Sequence, residues 1–217
     1  MKKLVAACLF VALVLSTGQV FANLDDNRAS IAAKYGEYRL VVDEDGQLWT
    51  KADWEGGGSV KAKAGSFVYY FTRNGVNIQM EVLYDSKKAE ALVKSQRITP
   101  DVAIKIQDFK DYFPEINALV TGPKAEAFAT SEELTRNFRD AHSPVTMGVV
   151  IKSQIIRTSS YPLLAFNIKD DGRLIRDAKY IGKGTYIHEF TLERISSMDV
   201  DDPYAQKDWE WLKNPFK

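Results

Sequence analysis

Beyond residue 22 the chain alternates between two hydrophobic periods, and each switch predicts an element. Ile31, Ala32 and Tyr35 share one helical face, Asp25, Asp26 and Asn27 offer caps ahead of them, and Gly36 supplies a left-handed stop. A short helix is expected there. Period two follows, and residues 38–42 and 47–54 read as a hairpin around Glu44-Asp45-Gly46. Gly56-Gly57-Gly58 abolishes local backbone preference and predicts a loop. Residues 67–72 are aromatic and β-branched, and Asn74-Gly75 suits a type I′ turn. After it Val76, Ile78, Met80, Val82 and Tyr84 alternate with Asn77, Gln79 and Glu81. That second hairpin therefore has one polar face and one that must be covered.

Helical signals return at residues 86–96. They recur after Thr99-Pro100-Asp101, where Val102, Ile106, Phe109 and Phe113 form a stripe that Pro114 should end. Thr130-Ser131-Glu132-Glu133 is a capping box for a further helix through Arg139. Residues 147–158, 163–169, 173–181 and 185–195 read as strands, with turns at Asp171-Gly172 and at 182–184. The expected fold class is α+β, with antiparallel β-meanders covered by helices. Each half runs from a helix into about four strands, and residues 40–48 parallel 166–174, which suggests two pseudo-repeated modules. Turn chemistry alone, which selects Asp-Gly, accounts for that similarity equally well. The organisation read from these signals is a leader at 1–22, α+β modules at 23–97 and 98–198, and an aromatic tail at 199–217.

The leader reading rests on Lys2-Lys3, the apolar run 4–15 and Val20-Phe21-Ala22, whose small residues suit cleavage after Ala22. The apolar run is too short for a stable membrane span of roughly 20 residues. Cys8 precedes the point where a lipoprotein box would lie, and it is the single cysteine of the chain. Cleavage would leave 195 residues with 27 basic and 29 acidic side chains. A chain of that size can bury about 70% of its unfolded surface and needs no disulfide. Its near-neutral charge argues against nucleic acid as a partner. No later apolar stretch approaches a membrane span, so an exported, periplasmic protein without a transmembrane segment is expected.

Ser30 to Gly36, followed by Val68-Tyr69-Tyr70-Phe71, the Asn74-Gly75 turn and the strand at 76–83, resembles the helix, Tyr-Gly, hairpin outline of small exported bacterial modules. BamE, the outer-membrane-assembly lipoprotein, and the β-lactamase-inhibitor-protein fold share that outline. The resemblance covers roughly residues 28–95 and implies a non-catalytic, protein-binding role.

Chemistry-bearing motifs are sparse. The two histidines, His142 and His188, lack metal-ligand or zincin spacing, and no Walker, dinucleotide or nucleophile-elbow motif is present. Asp43-Glu44-Asp45 does not match a calcium loop, and Asp199, Asp201 and Asp202 before Pro203 are the better calcium candidates against a solvated hinge. No catalytic, cofactor or metal set is assigned. Aromatic residues are the stronger signal: Trp49, Trp54, Tyr204, Trp209, Trp211 and Phe216 are candidate interface residues, because large rings are costly to leave in water. The sequence thus favours a non-catalytic binding or structural module of the bacterial envelope, with another envelope protein as its partner. The alternatives are a periplasmic hydrolase using carboxylates and a small-ligand carrier or sensor.

Overall fold

The computed structural model describes residues 24–56, 65–86, 90–130, 145–152, 159–204, 206 and 208–217. The leader at 1–22, His142, the capping box at 130–133 beyond its first residue, and the second half of the strand expected at 147–158 lie outside them. The described elements are α1 (Arg28–Tyr35), β1 (Leu40–Asp43), β2 (Leu48–Thr50), α2 (Lys51–Gly56), β3 (Gly65–Arg73), β4 (Val76–Tyr84), β5 (Val93–Pro100) and β6 (Ile104–Lys105). There follow α3 (Phe109–Tyr112), α4 (Pro114–Val120), β7 (Ala125–Thr130), β8 (Thr146–Ile151), β9 (Ser160–Asp170), β10 (Arg173–Leu174), β11 (Tyr186–Ser196), α5 (Ser197–Asp201) and β12 (Glu210–Leu212).

All twelve strands belong to one antiparallel sheet in the order β12-β7-β8-β9-β11-β5-β4-β3-β1-β2, with β10 on β9 and β6 on β11. This corrects the expected α+β fold of meanders covered by helices. Strands dominate, the described helices are at most eight residues long, and the two runs of strands join in one sheet through β5 and β11. Phe190, Thr191, Leu192 and Glu193 of β11 pair with Ile98, Arg97, Gln96 and Ser95 of β5.

The misread segments show why. Residues 93–100 carry Lys, Gln and Arg, which suit a helix, but Val93, Ser95, Ile98 and Pro100 are buried in a strand flanked on both sides. Tertiary pairing outweighs a propensity difference of a few tenths of a kcal/mol per residue. Pro100 pairs with Ile78 at the strand end instead of opening a helix. The helix before Pro114 does stop there, α3 ending at Tyr112 with Phe113 as its C-cap, and Pro114 then starts α4, where its missing N–H costs nothing. Alanine-rich β7 gave no strand signal, yet it lies between β8 and β12. The expected strand at 173–181 shortens to β10 and a 3₁₀ turn at Ala178–Tyr180.

Turn chemistry is where local sequence prevails. Asn74 and Gly75 have φ of 49° and 80°, and Asp171 and Gly172 have 42° and 78°, the paired positive values that a type I′ hairpin requires. Asn27 caps α1 by accepting from the Ser30 amide at 2.9 Å.

The two sheet faces differ. One carries a large core to which side chains of the short helices α1, α2, α3 and α4 and of the end of the chain contribute. Phe109 is its aromatic hub, with ring centroids 5.1 Å from Phe113, 5.9 Å from Phe166, 5.4 Å from Phe190 and 5.3 Å from Phe216. At the other end of this core the Arg28 guanidinium lies 4.1 Å from the Phe67 ring centre. The opposite face has a smaller apolar cluster of Phe128, Val150, Leu163 and Val200, closed by Tyr161, Ile195 and Trp209. Beyond that cluster the second face turns polar.

Candidate ligand groove

β11 shows how the polar face arises. Phe190 and Leu192 enter the large core, so Glu189, Thr191 and Glu193, in strict alternation, project from the other side. A bulge between Ile187 and Glu189 keeps Ile187 in the core while resetting the phase of the strand. Cross-strand pairing then assembles rows. Trp211, Phe128, Gly148, Ala165, Thr191, Arg97, Glu81 and Val68 form one continuous row across the sheet. Val42, Ser66, Leu83, Ser95 and Glu193 form the next.

Where these rows pass beneath the β1–β2 turn they floor a groove of about 380 Å³. Val42, Ser66, Glu81, Leu83, Ser95, Arg97 and Thr191 make the floor, and residues 43–46 make the wall. The wall is fixed by Asp43, only 5% exposed. Its carboxylate accepts from the Asp45 and Gln47 amides at 3.0 and 2.9 Å and from the Trp49 indole N–H at 2.9 Å. Gly46, at φ 80°, completes the reversal. Glu44 and Asp45 are left exposed at the rim.

Charge in the groove is unequal. Among the described residues its lining holds four carboxylates, Asp43, Glu44, Asp45 and Glu81, and one guanidinium, Arg97. Arg97 is already engaged: its Nε lies 2.8 Å from Glu189 Oε2 and its NH1 4.0 Å from Glu81. The Thr99 hydroxyl also donates to Glu189 Oε2, at 3.1 Å. Glu189 Oε1 and the Thr191 hydroxyl are buried without a hydrogen-bond partner among the described residues. Such groups are costly to leave unmade, by roughly 1–3 kcal/mol each.

Glu193 lies between Ser95 on β5 and Leu163 on β9, at the border of the groove and the small apolar cluster. Burial pushes its carboxyl up to about 7, against a small opposing pull from Lys94. The unfolded chain ionises near 4.5, so it gains from deprotonation before the folded chain does. Stability should therefore fall as pH rises from about 4.5 to 7 and stay level above that, as far as this group is concerned. Glu193→Gln is expected to flatten that decline and to raise stability at pH 8 by about 1–2 kcal/mol. Urea unfolding at pH 5 and pH 8 checks it; an equal change at both pH values would contradict the assignment.

The sequence-selected aromatics separate into three environments. Trp54 is buried in α2, 6.3 Å from Phe67, because β2 ends at Thr50 and the expected strand to residue 54 becomes helix. Trp49 is partly buried and tied to Asp43. Trp209 stacks on Phe128 at 3.9 Å, and Phe216 packs on Phe109 and Phe166. Trp211 and Tyr204 are exposed, at 43% and 86%. His188 sits in the bulge, where burial, helped by Lys169, lowers its pKa. Asp201 accepts from the Tyr161 hydroxyl and Asp202 from the Tyr204 amide. No metal-ligand cluster occurs among the described residues.

Arg97, Glu189, Thr191 and Glu193 were not singled out from sequence. A signal existed for three of them, since Glu189, Thr191 and Glu193 alternate with Phe190 and Leu192 in a strand that the pattern predicts. Arg97 was hidden by the helical reading of its segment. Comparison with protein families, curated proteins and solved structures finds no match to this chain.

Proposed function

We propose that this chain is an exported, non-catalytic binding module of the bacterial envelope and that the groove on its polar sheet face is the binding site. The carrying observation is Thr191, 1% exposed on the groove floor, whose hydroxyl has no hydrogen-bond partner among the described residues. A fold seldom retains such a group unless something else completes it. The leader pattern at 1–22 and the resemblance of residues 28–95 to small exported modules point the same way. So does the lack, among the described residues, of a helix long and apolar enough to cross a membrane.

One observation favours a second reading, a hydrolase using carboxylates: the pKa of Glu193 is close to that of a general acid. A thermal-shift panel of amines, sugars and short peptides, with each compound analysed afterwards for breakdown, separates the two. The binding reading expects a compound that raises Tm by several degrees and is recovered intact. Breakdown that Glu193→Gln abolishes would replace it with the hydrolase reading, and a panel without any shift would count against both.

A further inference from the structure

The β2 edge of the sheet is complementary to itself. We infer that two copies of this chain pair there, β2 against β2 in antiparallel register, about a two-fold axis at Trp49. The inference stands apart from the groove reading and needs no ligand. It starts from hydrogen-bond direction. β1 and β2 set Val41 opposite Trp49, and the flanking bonds run from the Asp43 amide to the Gln47 carbonyl at 3.0 Å and from the Lys51 amide to the Arg39 carbonyl at 3.2 Å. Bonded pairs alternate along an antiparallel ladder, so the N–H groups of Leu48 and Thr50 and the Leu48 carbonyl point away from β1. No strand lies beyond them among the described residues.

The edge is also unguarded. Sheets usually blunt an open edge with a charged side chain, a proline or a bulge. At the far edge β12 carries Glu210, whereas Leu48, Trp49 and Thr50 bring no charge to β2. Lys51, next in the chain, is already paired with Glu37 at 2.8 Å. Leu48 is 63% exposed, and Trp49 is only partly buried against the large core.

A two-fold axis at Trp49 satisfies this edge with its own copy. It sets Leu48 opposite Thr50 of the second copy, so that each Thr50 N–H donates to a Leu48 carbonyl, and it brings the two Trp49 side chains together as a cross-strand aromatic pair. Such an axis stands perpendicular to the sheet. Both polar faces therefore look the same way, and the two grooves open on one side of a continuous sheet. Pairing stops after three residues, because the β1–β2 turn and α2 take over, and the same register carries Asp45 toward Asp53 of the second copy. A contact this small with like charges at its margin makes a weak dimer, one that screening by salt tightens.

Sedimentation velocity of the full mature chain from about 5 to 500 μM tests this. It should show a reversible dimer whose Kd falls as salt is raised from 50 to 500 mM. Leu48→Lys, at an exposed position, should raise Kd tenfold or more, and Trp211→Ser should leave it unchanged. The only cysteine, Cys8, leaves with the leader, so Trp49→Cys places a single thiol on the axis. There the two Cα atoms of a non-bonded antiparallel pair lie about 4.5 Å apart, close enough for a disulfide. Mild oxidation should link this variant at least tenfold faster than Tyr204→Cys, whose thiol lies far along the sheet from the axis. A chain that stays monomeric at 500 μM, a dimer that survives Leu48→Lys, or equal linking rates for the two cysteine variants would each overturn the pairing.

Discussion

Phe109→Ala is expected to lower stability by about 4 kcal/mol, within the roughly 3–5 kcal/mol range for losing a buried aromatic ring. For a domain of this size that corresponds to a fall in Tm of about 8–16 °C. Phe109 is fully buried and meets four other rings, which come from the junction between α3 and α4, from β9, from β11 and from the end of the chain. Its removal leaves a cavity that cannot easily collapse, because Phe166 and Phe190 are held by paired strands on both sides. Phe113 and Phe190 also lie in edge contact at 5.0 Å, so they are not free to swing into the space. Phe109→Leu retains most of the volume and should cost only about 1–2 kcal/mol. Urea denaturation followed by fluorescence measures both. A loss below about 1 kcal/mol for the alanine variant would mean that this ring is not the hub of the core.

Gly148→Ala should cost about 2–3 kcal/mol despite adding a single methyl group. Gly148 pairs with Phe128 across β7 and β8, and the Phe128 ring lies directly over it. A Cβ placed there would come within 2.4 Å of Phe128 Cζ. The ring cannot retreat, since Trp209 stacks on it at 3.9 Å with planes 7° apart. Overpacking must therefore displace the tail tryptophan or the strand. The double variant Gly148→Ala/Phe128→Leu should be more stable than the sum of the two single losses, because the smaller side chain removes the clash. Thermal unfolding of the four proteins gives the coupling. Strict additivity would show that the ring and the glycine do not meet.

The same contact explains how much of the tail was legible from sequence. Aromatic density marked residues 204–216 as a segment that must dock somewhere, and Trp209 and Phe216 do dock, on opposite faces of the sheet. Which rings would remain exposed was not legible, because Trp209 and Trp211 look alike until Phe128 and Gly148 are placed beside them. Hairpin turns were legible, since Asn74-Gly75 and Asp171-Gly172 encode their own backbone geometry. The α+β expectation failed at β5 and β7, where strand character comes from neighbours distant in sequence.

The candidate groove was the least legible part. Its floor draws on β1, β3, β4, β5 and β11, so Val42 and Thr191 become neighbours of one groove although about 150 residues separate them in the chain. The alternation in β4, which sets Glu81 opposite the core side chains, and that in β11 announced polar side chains on otherwise apolar strands. Exposed Tyr204 and Trp211 remain the competing surface, since aromatic side chains are enriched at protein interfaces.

Amide chemical-shift mapping of the labelled mature protein with increasing amounts of the thermal-shift panel compounds that raise its Tm decides between them most directly. The groove account predicts saturable shifts concentrated at residues 42–46, 81–83, 95–97 and 191. Shifts centred on Tyr204 and Trp211, or none at saturating ligand, would contradict it.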